Sequence, residues 1–151
     1  MKYQNQINRF KTNIINVDEM VEQIKEFLDR LFSEEVEGPS HGYNAISFTI
    51  EEIFELEINI CHIRPNYEKN LAVFLKLRRI GISPKYRNRG YCTSIINFLE
   101  EISSRYKYDG IEVETVTSES MFRVLKRLNY TKMGDITFSE KPYVDNYRKY
   151  H

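Results

Sequence analysis

Apolar residues recur at helical spacing through Val17, Met20, Val21, Ile24, Phe27, Leu28 and Leu31, which predicts one amphipathic helix with a single apolar stripe. Asn16 and Glu19 stand at capping-box spacing and mark its start. Ile7 to Ile15 reads as a preceding strand, and Ser33 to Tyr43, with Gly38 and Pro39, as a loop. Ile46, Phe48 and Ile50 alternate, as do Phe54, Leu56, Ile58 and Ile60, predicting two strands. Residues 64–70 read as a turn. Leu71 to Ile82 is a further strand whose apolar parity slips: Val73, Leu75 and Leu77 hold one phase, Ile80 and Ile82 the other. One extra residue near Arg78 and Arg79 produces that slip, the signature of a β-bulge. Gly81 in the same strand admits a close backbone approach.

Ile95, Ile96, Leu99 and Ile102 predict a second amphipathic helix ending near Tyr106. Asp109-Gly110 turns the chain into a strand in which Ile111, Val113, Thr115 and Thr117 alternate. Thr117 or Ser118 caps a third helix with Met121, Leu125 and Leu128 inward, and Asn129 suits its left-handed C-terminal position. Tyr130 to Met133 and Thr137 to Tyr147 supply two last strands. The order predicts an α/β (α+β) fold: one domain over residues 1–151, built on a mixed sheet.

The 151-residue length suits one domain with its own core, and the eleven Tyr and nine Phe argue against disorder. Lys and Arg number 22 and so do Asp and Glu, so no global field draws nucleic acid or anionic membrane. We see no apolar leader and no membrane-length run, and expect a cytoplasmic protein. Cys61 and Cys92 form neither a disulfide framework nor a metal pattern, so no metal is expected.

Chemistry concentrates in residues 82–93. Pro84 ends the strand, and Gly90 leaves no side chain between backbone and ligand. The amides of Asn88 to Thr93 fall in the turn and first turn of a helix, where N–H groups lack partners and the dipole favours an anion. Lys85, Arg87 and Arg89 add positive charge at the rim, and Thr93 a hydroxyl. The arrangement reads as a phosphate cradle for a nucleotide-type ligand.

Arg87-Asn88-Arg89-Gly90-Tyr91-Cys92 resembles the Gln/Arg-x-x-Gly-x-Gly/Ala signature of the GNAT superfamily of N-acetyltransferases. Residues 82–87 are similar to the segment that precedes it, and Val124 to Tyr130 to the family's second motif. The likeness runs from Leu71 to Tyr130 and is topological before that. It implies a mostly antiparallel sheet flanked by helices, with the bulge in the central strand. It implies acetyl-CoA as acyl donor, its pyrophosphate on the amides of Asn88, Arg89, Gly90, Tyr91, Cys92 and Thr93, with Arg87 binding the donor at the rim. It further implies that Ile80, Gly81 and Ile82 bond the pantetheine arm and polarise the acetyl carbonyl.

The chain departs from the pattern at three places. Cys92 replaces a Gly or Ala and reads as packing rather than a reactive thiol. The usual tyrosine acid falls at Leu125, and the Asn often found at that helix start falls at Ser118. Acid–base candidates are therefore Glu114, Glu57 and Ser118. Glu55, Glu57, Glu112 and Glu114 each read more simply as solvated strand charges, and Glu34, Glu35 and Glu37 as a solvated loop. His62 reads as a core or edge histidine. Tyr143, Tyr147 and Tyr150 read as sheet packing or a dimer contact before a replacement acid.

The expected function is acetyl transfer from acetyl-CoA to a primary amine, on a small molecule or a protein, without nucleic acid or membrane partners and with a homodimer as one option. The alternative is a catalytically degenerate acyl-CoA-binding regulatory or interaction protein.

Overall fold

A computed structural model describes residues 17–42, 45–65 and 70–151. The strand expected over Ile7 to Ile15 and the capping role of Asn16 lie outside the described residues, as does most of the turn at 66–69. Among the described residues the order is α1 (Val17–Phe32), β1 (Glu37–Gly42), β2 (Ala45–Ile50), β3 (Phe54–Pro65), β4 (Leu71–Ile82), α2 (Tyr91–Arg105), β5 (Gly110–Val116), α3 (Glu119–Arg127), β6 (Thr131–Lys132) and β7 (Asp145–Tyr150). The strands form one sheet in the order β1-β2-β3-β4-β5-β7-β6. Only β4 and β5 pair in parallel, joined through α2; the other neighbours are antiparallel.

The apolar stripes assemble as their spacing requires. Met20, Val21, Ile24 and Leu28 of α1 and Ile95, Ile96, Leu99 and Ile102 of α2 share a core with Leu125 of α3, Val73, Leu75 and Leu77 of β4, and Ile111 and Val113 of β5. Phe27 stacks on Phe98 with ring centroids 4.0 Å apart, locking α1 to α2. Because β-strand side chains alternate, Lys76, Glu112 and Glu114 point to the sheet's opposite face.

The parity slip in β4 is a bulge. Ile58 pairs with Leu77 but Glu57 pairs with Arg79, so Arg78 is the extra residue. A second irregularity sets Ile60 and Cys61 of β3 against Leu75. Gly81 serves a neighbour within the fold: a Cβ there would lie 2.9 Å from Cγ of Glu55, which crosses it.

Two expectations need correction. Residues 37–42, expected as loop, form edge strand β1, whose pairing with β2 skips between Glu37 and Ser40 so that Gly38 and Pro39 stand out of the ladder. A proline is tolerated there because an edge strand leaves donors unused. The strand expected from Thr137 begins only at Asp145. Instead the Asp145 carboxylate accepts N–H bonds from Gly134, Asp135 and Ile136, at 2.6, 2.9 and 3.2 Å, holding that segment as an irregular loop. No helix among the described residues is long and apolar enough to cross a membrane.

Candidate functional site

The loop after β4 has the predicted form. Asn88 and Gly90 take left-handed φ of 63° and 77°, curling the chain into α2 with Gly90 as its N-cap. The first helical bond runs from Ser94 N–H to the Gly90 carbonyl at 3.0 Å, so the amides of Tyr91, Cys92 and Thr93 have no acceptor within the helix. A Cβ on Gly90 would meet nothing within 4 Å, so the approach to those amides is open. Arg87 ties the loop down by donating Nε–H to the Ile82 carbonyl at 3.0 Å, and Arg89 lies over the Tyr86 ring. Burial pushes the Cys92 thiol up to about 11, and its Sγ lies 3.9 Å from Met121 Sδ. A thiol so raised is not a nucleophile at neutral pH, as its packing reading requires.

Beside the loop, β4 and β5 part. Their pairing ends at Leu77 and Val113. Beyond it a cleft of about 200 Å³ opens, walled by residues 77–80, 113–118 and Met121. The β4 edge facing this cleft has no strand partner after Leu77, and Arg78, the bulge residue of the ladder with β3, is the next residue along. Of the sequence-derived candidates, Ile80, Glu114 and Ser118 line the cleft, whereas Gly81, Ile82, Glu57 and the loop residues do not. The Cys92–Met121 contact joins the loop to the cleft wall.

The structure links Glu57 and Glu114 through the bulge. Arg78 donates Nε–H to Glu114 Oε2 at 3.2 Å, and its Nη1 lies 3.7 Å from Glu57 Oε1. Lys76 Nζ is 3.1 Å from the other Glu114 oxygen. Burial alone would raise the Glu114 pKa, but Lys76 and Arg78 outweigh it and hold the carboxyl below its ordinary value. Ser118 caps α3, its Oγ accepting the Met121 N–H at 3.2 Å. Leu125, at the usual tyrosine position, is fully buried. Tyr147 donates its hydroxyl to the Tyr143 carbonyl at 2.7 Å and packs on Phe122. Among the described residues no tyrosine lines the cleft. Glu37 lies on β1, three strands from β4 and so about 14 Å away at ordinary strand spacing.

Two features were not evident from the sequence. Thr115 lines the cleft with φ of 43°, a left-handed conformation that a β-branched residue rarely takes. The β5–β7 register shifts beside it, and its N–H donates to Asn146 Oδ1 at 2.7 Å. Buried Asn146 also donates Nδ2–H to Asp135 at 2.9 Å. A residue held against its preference stores strain of roughly 1–3 kcal/mol, retained when its surroundings enforce it. Asn146→Ala should therefore cost about 2 kcal/mol of stability in urea unfolding, since it strands the Thr115 N–H and an Asp135 oxygen. A loss below a few tenths would mean that the side chain does not hold the bulge.

The second feature is a buried charge cluster. Glu112, expected as a solvated charge, is wholly buried. Its Oε2 lies 2.6 Å from His62 Nε2, and its Oε1 is 3.3 Å from Arg148 Nε and 3.8 Å from Arg64 Nε. Arg64 Nε also approaches His62 Nε2 at 2.9 Å, and one ring nitrogen cannot both accept there and donate to Glu112. Donation to Glu112 is favoured, because a buried carboxylate oxygen left without a donor is expensive.

No family model matches the sequence, and no curated protein is significantly similar to it. Solved structures do share its fold. Arabidopsis thaliana NAA60, solved in complex with a bisubstrate analogue, is 13% identical, with 89% of this chain and 95% of that one covered at a TM-score of 0.53. A Klebsiella pneumoniae protein described as an acyl-CoA N-acyltransferase is 13% identical, covering 89% and 91% at 0.50. The KacTA structure, a complex with DNA, is 12% identical, covering 89% and 80% at 0.51. The fold is that of the GNAT acyltransferases, as the motif resemblance implies. The expectation that excluded nucleic acid is overturned, because a protein of this fold has been solved with DNA. Its physical basis was weak: balanced total charge constrains the global field and leaves local patches free.

Proposed function

We propose that this chain is an acetyl-CoA-dependent N-acetyltransferase that moves the acetyl group to a primary amine by direct attack. The observation that carries this reading is the parting of β4 and β5 at the Arg78 bulge, beside the open amides at the start of α2. Those amides, with the open face of Gly90, suit a pyrophosphate, and the cleft suits the slim acyl end of the donor. Acetyl-CoA would supply the activated thioester. The unpaired β4 edge at Ile80 to Ile82 offers N–H groups to the carbonyl oxygen where negative charge develops. A neutral amine in the cleft then forms the new C–N bond as the C–S bond breaks; the thiolate leaves and takes a proton from solvent.

The amine's proton goes to Glu114 through water. Held ionised by Lys76 and Arg78, Glu114 is always ready to accept but is a weak base, so its contribution lies at the low end for general-base catalysis. Glu114→Gln should lower kcat by about a hundredfold while the acetyl-CoA-induced rise in melting temperature is unchanged. Unaltered kcat would remove Glu114 from the mechanism. The proposal itself is tested by acetyl-CoA thermal shift together with release of CoA thiol on an amine panel.

Burial of Leu125 where the family places its acid favours a second reading, a protein that binds acyl-CoA without turning it over. A thermal shift without thiol release on any amine supports it.

A further inference from the structure

Arg79 stands apart in the cleft. It lines the wall, yet it makes no ion pair with any described residue, whereas the other charged groups there are matched. Glu114 is shared by Lys76 and Arg78, and Glu57, opposite Arg79 in the ladder, turns its carboxylate to Arg78. Glu55 lies across Gly81, and it is not among the cleft-lining residues. The register fixes the direction of Arg79. Leu56 and Ile80, the next cross-strand pair, face the helical core, so Arg79 and Glu57 face the other side of the sheet. The start of α2, where the donor phosphates would lie, belongs to the helix side. Arg79 is therefore directed away from the donor's anionic groups, toward the side left to the acceptor.

A cleft with one unmatched cation and no unmatched carboxylate is suited to an anion and poorly suited to a polycation. Resting on the acetyltransferase reading, we infer that the acceptor is an amine bearing its own acid group, carboxylate or phosphate, and that Arg79 holds that group so the amine faces the thioester. A guanidinium suits either acid because its planar fork of donors grips two oxygens at once.

The test uses acceptor pairs that differ in charge and little else: glycine against glycinamide, and O-phosphoethanolamine against ethanolamine. Calorimetric titration into the CoA-saturated protein should show the acid of each pair binding about tenfold or more tighter, as one charge-assisted contact warrants. The stronger pair identifies the acid. Arg79→Gln should erase the preference and Arg79→Lys retain part of it, with CoA affinity unchanged in both. Equal binding within both pairs, or a preference that survives Arg79→Gln, overturns the inference. So does a short DNA duplex that displaces the acidic amine in an Arg79-dependent way, since the cation would then serve a polymer. An intact acid preference without thiol release from acetyl-CoA sinks the transfer reaction and leaves the anion site standing.

Discussion

Gly90→Glu should abolish the stabilisation that acetyl-CoA gives the wild-type protein. At saturating ligand, about a hundred times Kd, that stabilisation is roughly 2.7 kcal/mol, or about 5–10 °C in melting temperature for a chain of this size. The variant places a carboxylate in the open space before the amides of Tyr91, Cys92 and Thr93. It would occupy the anion's position and repel a pyrophosphate by about 1–4 kcal/mol per charge pair at 4 Å. Affinity should fall by a hundredfold or more on the order-of-magnitude scale of 1.4 kcal/mol per tenfold. Gly90 also takes a left-handed φ of 77°, so any side chain adds about 1–2 kcal/mol of strain to the folded state. Gly90→Ala separates the effects: it should melt lower in the free state but keep its response to acetyl-CoA. If Gly90→Glu responds as the wild type does, the donor phosphates do not sit on these amides.

The parts of this site that could be read from sequence share a cause: each leaves a local mark. The bulge shows in β4 because an extra residue reverses apolar parity, and Arg78 is that residue. The loop that opens α2 shows because Pro84 and Gly90 punctuate a strand-to-helix junction. Asn129 takes its left-handed conformation, φ 66°, at a helix end where Asn is tolerated. What could not be read depends on partners distant in sequence. Glu112 and Glu114 have the same parity and flanks of the same kind, yet one is fully buried and the other lines the cleft. The difference lies in His62 and Arg64 on β3 and Arg148 on β7, which the sheet order alone brings to Glu112. Thr115 gave a misleading signal, since a β-branched residue argues against the left-handed backbone it adopts. The edge strand β1 was hidden for a related reason, its Gly38-Pro39 pair being turn chemistry set inside a strand.

The Glu112 cluster carries the largest expected effect on stability. Glu112→Gln keeps the shape of the side chain and removes its charge, leaving His62, Arg64 and Arg148 facing a neutral amide. Removing one partner of a buried ion pair costs about 3–5 kcal/mol, because the remaining charges stay desolvated. A loss of that size lowers the melting temperature by roughly 6–20 °C for a chain of this length. The pH dependence has a definite sign. Burial alone would raise the Glu112 pKa, but His62, Arg148 and Arg64 outweigh it and hold the carboxyl below its ordinary 4.5. A depressed folded pKa means that the unfolded chain binds the proton more readily. The stabilisation is therefore complete above the ordinary value and lost as pH falls through the lower folded one. Urea unfolding followed from neutral pH down into that acidic range should show wild-type stability falling, and a flatter profile for Glu112→Gln. His62→Asn should also destabilise, and the double variant should lose less than the sum of the two single losses, because both remove one interaction. Additive losses would mean that Glu112 and His62 are neighbours without coupling. Wild-type stability in Glu112→Gln would mean that the cluster balances its own desolvation and that β3, β5 and β7 are held together by packing alone.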